Sequence, residues 1–156
     1  MVFSPEQFTE QAQEVLARSQ EILHRYQHSQ WDSEHIFMTL LEQEKGVPAE
    51  ILRQLGVSLE AMHQRLHQLL GEAPKVAQES SQVYVTPRAA RLLDRAKAEA
   101  DRLSDEFVGA EHILVALTQE DQGDVAKVLG EFKVNLERVY QALQKVRGGH
   151  RVDDPR

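Results

Sequence analysis

Apolar residues recur along the chain at spacings of three and four. Phe8, Ala12, Val15, Leu16, Ile22, Leu23 and Tyr26 follow this rhythm, which gathers them into one stripe of an α-helix. The rhythm returns in Val85, Ala89, Leu92, Leu93, Ala96, Ala100 and Leu103. Each stretch follows a helix-start signal, Ser4 with Pro5 and Gln7, then Thr86 with Pro87. A side-chain oxygen caps free N–H groups there, and proline has no N–H to leave unpaired. A second helix is predicted from Asp32-Ser33 through Ile36, Phe37, Leu40 and Leu41, and another from Gly109 through Ile113, Leu114 and Leu117. Gly46 and Gly123 are expected to end these helices in the left-handed conformation. A short third helix follows, opened by Pro48 or capped by Asp124. Ser58 and Asn135 then cap a fourth, carrying Leu59, Met62, Leu66 and Leu69, or Leu136, Val139, Leu143 and Val146.

The two sets of helices are copies of one pattern. Shifting the chain by 77 positions, so that residue 8 meets residue 85, aligns 8–70 with 85–147 without a gap. Thr9/Thr86, Leu16/Leu93, Arg25/Arg102, Glu34/Glu111, His35/His112, Ile36/Ile113, Gly46/Gly123 and Leu66/Leu143 are identical pairs among many. A tandem duplication explains them, with repeat 1 at about 4–70, a linker at about 71–84 and repeat 2 at about 85–147. Pro74, Ser80 and Ser81 break any periodicity in the linker. Residues 1–149 form the domain, and 150–156 read as the start of a tether. Four short helices bury little area alone, so the repeats are expected to share a core. The expected fold is all-α, with two tandem four-helix repeats packed as one pseudo-twofold globular domain. The groove between its halves is the place to look for binding.

Composition narrows the function. Hydrophobic residues make up 41% of the 156 and charged residues 28%, a folded rather than disordered balance. The formal charge is −7 with acids and bases interleaved, so the basic stripe of a nucleic-acid binder is missing. No apolar run approaches the ~20 residues of a membrane span, and the start lacks the basic and apolar segments of a secretory signal. Cysteine is absent, which excludes disulfides and suits a reducing, cytoplasmic setting.

The sequence carries no catalytic signature. No glycine-rich loop precedes a Lys-Ser/Thr pair, and no Gly-x-Ser-x-Gly exists, so no enzyme activity, ATP hydrolysis included, is expected. His24/His28 and His63/His67 have the spacing of a helical metal pair, but two histidines leave a tetrahedral site half made. Repeat 2 replaces them with Asp101/Asp105 and Tyr140/Gln144, and they are read as surface residues, not metal ligands. Glu34-His35 and Glu111-His112 invite an acid–base reading. The simpler account has each glutamate favoured by the free N–H groups of a first turn, with the histidine packed inward.

The repeated pattern of a helix, Glu-His-Ile, a glycine and a Leu-Gly-Val-Ser-Leu-Glu segment resembles the Clp N-terminal repeat, over essentially the whole chain. Ser33-Glu34-His35-Ile36 and the stretch from Asp105 to Leu114 are its most specific parts. Pro74-Lys75-Val76, Tyr84-Val85-Thr86-Pro87 and Arg147-Gly148-Gly149-His150-Arg151-Val152-Asp153 look like the ClpB-type disaggregases. Repeat 1 departs from the form usual in ClpC-type unfoldases. The resemblance implies a substrate-recognition domain of an ATP-dependent disaggregase, mobile on its tether, that engages unfolded or aggregated proteins and passes them to the ATPase ring. The alternative is an adaptor-docking domain of a ClpC/ClpA-type protease-associated unfoldase. It also implies a monomer for the isolated domain and a hexamer for the whole protein. ATP and Mg belong only to the ATPase modules, with no cofactor for this domain and no nucleic-acid or membrane partner. By position, client contact is expected at Thr9, Leu93, Asp105, Glu111 and His112.

Overall fold

The structure is a computed structural model that describes residues 4–76 and 82–155. The linker residues Ser80 and Ser81 lie outside the described residues, as do Met1-Val2-Phe3. Eight α-helices carry the fold: α1 (Glu10–Arg25), α2 (Ser33–Glu42), α3 (Val47–Gln54), α4 (Leu59–Glu72), α5 (Pro87–Arg102), α6 (Ala110–Leu117), α7 (Asp124–Glu131) and α8 (Leu136–Arg147). Two-residue strands β1 (Gln30–Trp31) and β2 (Tyr84–Val85) complete it. The all-α reading holds, with four helices in each repeat.

The cap signals locate most helix starts. Thr86 Oγ1 accepts from Ala89 N–H at 3.0 Å, Ser58 Oγ from Ala61 at 3.1 Å and Asn135 Oδ1 from Arg138 at 2.9 Å. The first helix is the exception. Pro5–Gln7 makes one 3-10 turn, and α1 opens only at Thr9, whose Oγ1 accepts from Ala12 N–H at 3.1 Å. Phe8 is drawn out of the helix because its extended, fully buried backbone bridges Val108 of the other repeat.

The paired glycines also act differently from expectation. The second helices end earlier, at Gln43 and Thr118, while Gly46 and Gly123 stand immediately before α3 and α7 with φ of 108° and 93°. They turn the chain into the third helix at a positive φ that glycine alone adopts without cost. Asp124, expected as a cap, is instead the first residue of α7. Gly71 lies within α4, which runs two residues into the expected linker.

The duplication shows in how the halves hold each other. β1 and β2 pair in parallel, Gln30 with Tyr84 and Trp31 with Val85. Phe8 bridges Val108 in the same sense. Offset by 77, Phe8 becomes Val85 and Trp31 becomes Val108, so these are one contact made twice. The leading segment of each repeat docks on the α1–α2 or α5–α6 corner of the other. Helix packing is likewise reciprocal, α3 against α8 and α7 against α4, with α2 and α6 in contact between them. All eight residues of α6 are buried, and so are eight of the ten in α2. A helix that is apolar all round belongs at the centre of a core. No helix among the described residues is long and apolar enough to cross a membrane.

The pseudo-equivalent caps supply a test. Thr9→Ala and Thr86→Ala should each lower stability by about 1 kcal/mol, the usual cost of losing a threonine cap. Urea unfolding of the two variants checks this, and no change at either position would show that these oxygens do not cap.

Candidate functional site

A groove of about 740 Å³ runs between α1 and α5, the helices related by the pseudo-twofold. Gln13, Leu16, Ala17 and Gln20 form one wall, and Pro87, Ala90 and Leu93 the other. Trp31, Val85 and Thr86 close one side, and Pro5 contributes from the 3-10 turn. No charged residue lines it. Leu16 and Leu93 are equivalent residues of the two repeats, as are Gln13 and Ala90, so one helix face supplies both walls. Trp31 is fixed by a hydrogen bond from its indole N–H to Ser19 Oγ at 2.7 Å. Ser19 is buried in α1 and donates in turn to Leu16 O. Val85 is 51% exposed at the groove and its strand neighbour Tyr84 is 59% exposed; they are the exposed large apolar residues of the described chain. The groove can therefore take up apolar side chains; the Thr86 hydroxyl is engaged with Ala89 N–H and Asp32 Oδ1, and the Gln13 side-chain N–H groups with Pro5 O and Phe8 O.

A second constellation lies behind the groove, at the starts of the central helices. Asp32 N–H donates to His35 Nδ1 at 3.0 Å, and Gly109 N–H donates to His112 Nδ1 at 2.8 Å. Each histidine thus accepts from the backbone N–H three residues earlier, as a glutamine does in a capping box. With Nδ1 accepting, the proton sits on Nε2 and points onward. His35 Nε2 lies 2.8 Å from His28 Nδ1, and His28 Nε2 lies 3.2 Å from Leu70 O at the end of α4. His112 Nε2 lies 2.7 Å from Asp105 Oδ2. Asp105 also accepts two bonds from Arg147 at the end of α8, at 2.8 and 3.0 Å. His28 and Asp105 are equivalent by the offset of 77, as are Leu70 and Arg147. One brace from second helix to fourth is built twice with different chemistry.

The Clp repeat (R) N-terminal domain family profile matches residues 7–146. The chain belongs to this Clp N-terminal domain family. Relatives include the chaperone protein ClpB of Bacillus anthracis, 32% identical over 94% of this chain. The negative regulator of genetic competence ClpC/MecB of Bacillus subtilis is 34% identical over 92% of it. The chain spans 17% of the length of each. Among solved structures, the Hsp104 N-terminal domain from Candida albicans superposes with a TM-score of 0.84 at 16% identity, covering 97% of this chain and 98% of that one. A complex of the ClpV N-domain with VipB peptide gives 0.72 at 18% identity, covering 91% and 88%. These likenesses establish the fold of an AAA+ chaperone accessory domain rather than an ATPase module.

In this Clp N-terminal domain the five residues expected to meet clients do not share one place. Leu93 alone lines the groove. Asp105 is 6% exposed and His112 is sealed, both with their polar atoms engaged in the brace. Thr9 is 6% exposed and spends its hydroxyl on the α1 cap. Glu111, 9% exposed, folds back on its own helix start: a Cβ placed on Gly109 would fall 2.1 Å from its Oε1. Repeat 1 has the Asp32 side chain in the equivalent place, accepting from Ser33 N–H at 2.8 Å. The glutamate carboxylate fills the space that a capping aspartate takes in the other repeat.

The first histidine pair is not what spacing suggested. His28 lies beyond the end of α1 and is half-buried in the brace, so it shares no helix face with His24. His63 contacts Glu42 and His67 contacts Tyr26. No group of three or more potential ligands among the described residues could hold a metal ion. Sequence reasoning missed Trp31, Val85, Ala17 and Ala90 as site residues. The single tryptophan, placed where helical periodicity lapses, was the available signal for the first.

Burial sets the acid–base behaviour. It lowers the His35 pKa from 6.5 to about 4, and His28 beside it adds to the effect. Burial also raises Glu34, near Asp32, to about 7, and it raises Glu120 to about 7 despite the hydroxyl of Ser33 donating to it at 2.9 Å. His35 therefore contributes stability that is whole above pH ~6.5 and is lost as pH falls toward 4, since the unfolded chain binds the extra proton. Glu34 and Glu120 act in the opposite sense, their contribution being lost as pH rises from ~4.5 through 7. His35→Gln keeps an acceptor at the cap and removes the histidine titration. The stability advantage of the native protein over this variant should shrink between pH ~6.5 and 4. Urea unfolding across that range measures it, and a constant difference would mean His35 is not held neutral.

Proposed function

We propose that this domain recognises client proteins for a ClpB-type AAA+ disaggregase, holding unfolded or aggregated chains by apolar segments in the α1–α5 groove for transfer to an ATPase ring in the cytoplasm. The uncharged apolar groove carries this reading. Burial of apolar area is non-directional, at ~25 cal/mol per Å², so one groove serves many unfolded sequences. Gln20 and the nearby β2 backbone offer hydrogen bonds to a peptide main chain without selecting its side chains. The neighbouring ClpV N-domain is described in complex with a peptide, which supports peptide binding as a use of this fold. A small groove gives weak affinity, and several linked copies in a ring raise it through effective concentration. The ClpB-like segments in the linker and the closing turn favour disaggregation.

The ClpC/MecB relative motivates a second reading, in which the same domain docks a folded adaptor. The two differ in what binds. Ala17 is exposed on one groove wall, and Ala90 is half-buried on the other. Ala17→Glu and Ala90→Glu should each weaken binding of a permanently unfolded model protein at least about tenfold, the equivalent of ~1.4 kcal/mol. Melting should stay within the small change usual for surface substitutions. NMR titration of labelled domain with unfolded and folded forms of one protein is the experiment. Unaltered affinity in both variants would remove the groove from client binding, and a preference for the folded form would favour the adaptor reading.

A further inference from the structure

The Gly148-Gly149 pair at the end of α8 has the composition of a hinge, and a swinging tether would be expected to begin there. The contacts around it show otherwise. Asp105 takes two hydrogen bonds from Arg147, immediately before the glycines. Its Oδ1 also accepts from Val152 N–H at 2.9 Å, just beyond them. One buried carboxylate therefore grips the chain on both sides of the hinge. The grip extends past it: Val152 O accepts from Glu106 N–H at 2.8 Å and from Phe107 N–H at 2.9 Å. Arg151 reaches Ser104 O at 3.3 Å. Pro155 O accepts from Glu10 N–H at 2.6 Å, in the first turn of α1 beside the Thr9 cap.

We propose that Asp105 is the latch of a strap formed by residues 150–155, which locks the Gly148-Gly149 hinge and carries the chain back across the α5–α6 corner to the start of α1. Asp105 is a positioning residue in this reading and touches no client. Any swing of the groove pivots after residue 155. Burial alone would push the Asp105 carboxyl up, but Arg147, the Val152 amide and His112 outweigh it and hold it below the usual aspartate range, so the latch stays charged at neutral pH. The latch itself stands independently of the client reading, because its deciding readout, amide exchange at Glu106 and Phe107, needs no client.

Hydrogen exchange and heteronuclear NOE measurements on the labelled domain test it. The native protein should show ordered amides through 152–154, with slow exchange at Glu106 and Phe107. Asp105→Asn weakens the charge-assisted bonds, and Val152→Pro removes the strap's own donor without touching Arg147 or His112. In both variants the Glu106 and Phe107 amides should exchange at least about tenfold faster, as expected when a hydrogen bond to a charged group is lost. The affinity of Val152→Pro for an unfolded protein should stay at the native value. If Asp105→Asn unfolds the domain, Val152→Pro still decides. Random-coil behaviour of 150–155 in the native protein, or unchanged exchange in Val152→Pro, would overturn the latch. A loss of client affinity in Val152→Pro would overturn the assignment of Asp105 to positioning alone.

Discussion

A helix buried on every side needs neighbours on every side, and one four-helix repeat cannot provide them. All eight residues of α6 are buried, and α2 exposes little more. Each is covered partly by its own repeat and partly by the other, through the α2–α6 contact and the reciprocal packing of α3 on α8 and α7 on α4. Removing either repeat would uncover the most apolar helix of its partner. The short cross-pairings of Phe8 with Val108 and of Trp31 with Val85 complete the interlock. They also keep α1 and α5 apart at their starts. The groove is the opening that this arrangement leaves.

Such a buried pair of helices raises a problem at its N-termini, where free N–H groups have little water to meet. Both repeats solve it with a histidine three residues after the cap position. The imidazole accepts from the backbone with one nitrogen and hands its remaining proton outward. What receives that proton differs, His28 in one half and Asp105 in the other. The neutral chain from His35 through His28 to Leu70 O closes inside repeat 1. The charged version in repeat 2 draws in Arg147 and, beyond it, the Val152 amide. Two differences between the repeats, His28 against Asp105 and Leu70 against Arg147, thus separate an internal brace from one that also holds the Val152 amide.

The helices were legible because their spacing and caps are local signals. The offset of 77 made the duplication and pseudo-twofold packing legible too. Other features depend on contacts between repeats. Phe8 continues an apolar stripe in sequence, yet its pairing with Val108 takes it out of α1. Gly46 and Gly123 satisfy the requirements of a helix end and of a sharp helix entry equally well, and only the length of the preceding turn decides. Leu16 reads as core and is buried, but together with Leu93, expected at the groove, it also lines the groove. Trp31 and Val85 reach the site through a strand pair joining segments over fifty residues apart, which periodicity cannot reveal.

Residue identity at equivalent positions separates two demands on the fold. Where both repeats keep the same residue, as at Thr9/Thr86 and His35/His112, the pair caps or braces the shared scaffold. The groove is built mainly from positions where they differ or are small: Ala17 faces Asp94 by the offset, Gln20 faces Lys97, and Gln13 faces Ala90. A perfectly symmetric duplication would put matching charges on both walls, or none. Here α1 supplies uncharged residues at these positions, while the charges of α5 stay out of the lining. An uncharged lining spares an apolar segment the cost of desolvating a charge, and it offers no fixed charge by which one sequence would be selected over another. On the proposed client reading, breadth of recognition and weakness of binding then have a common cause.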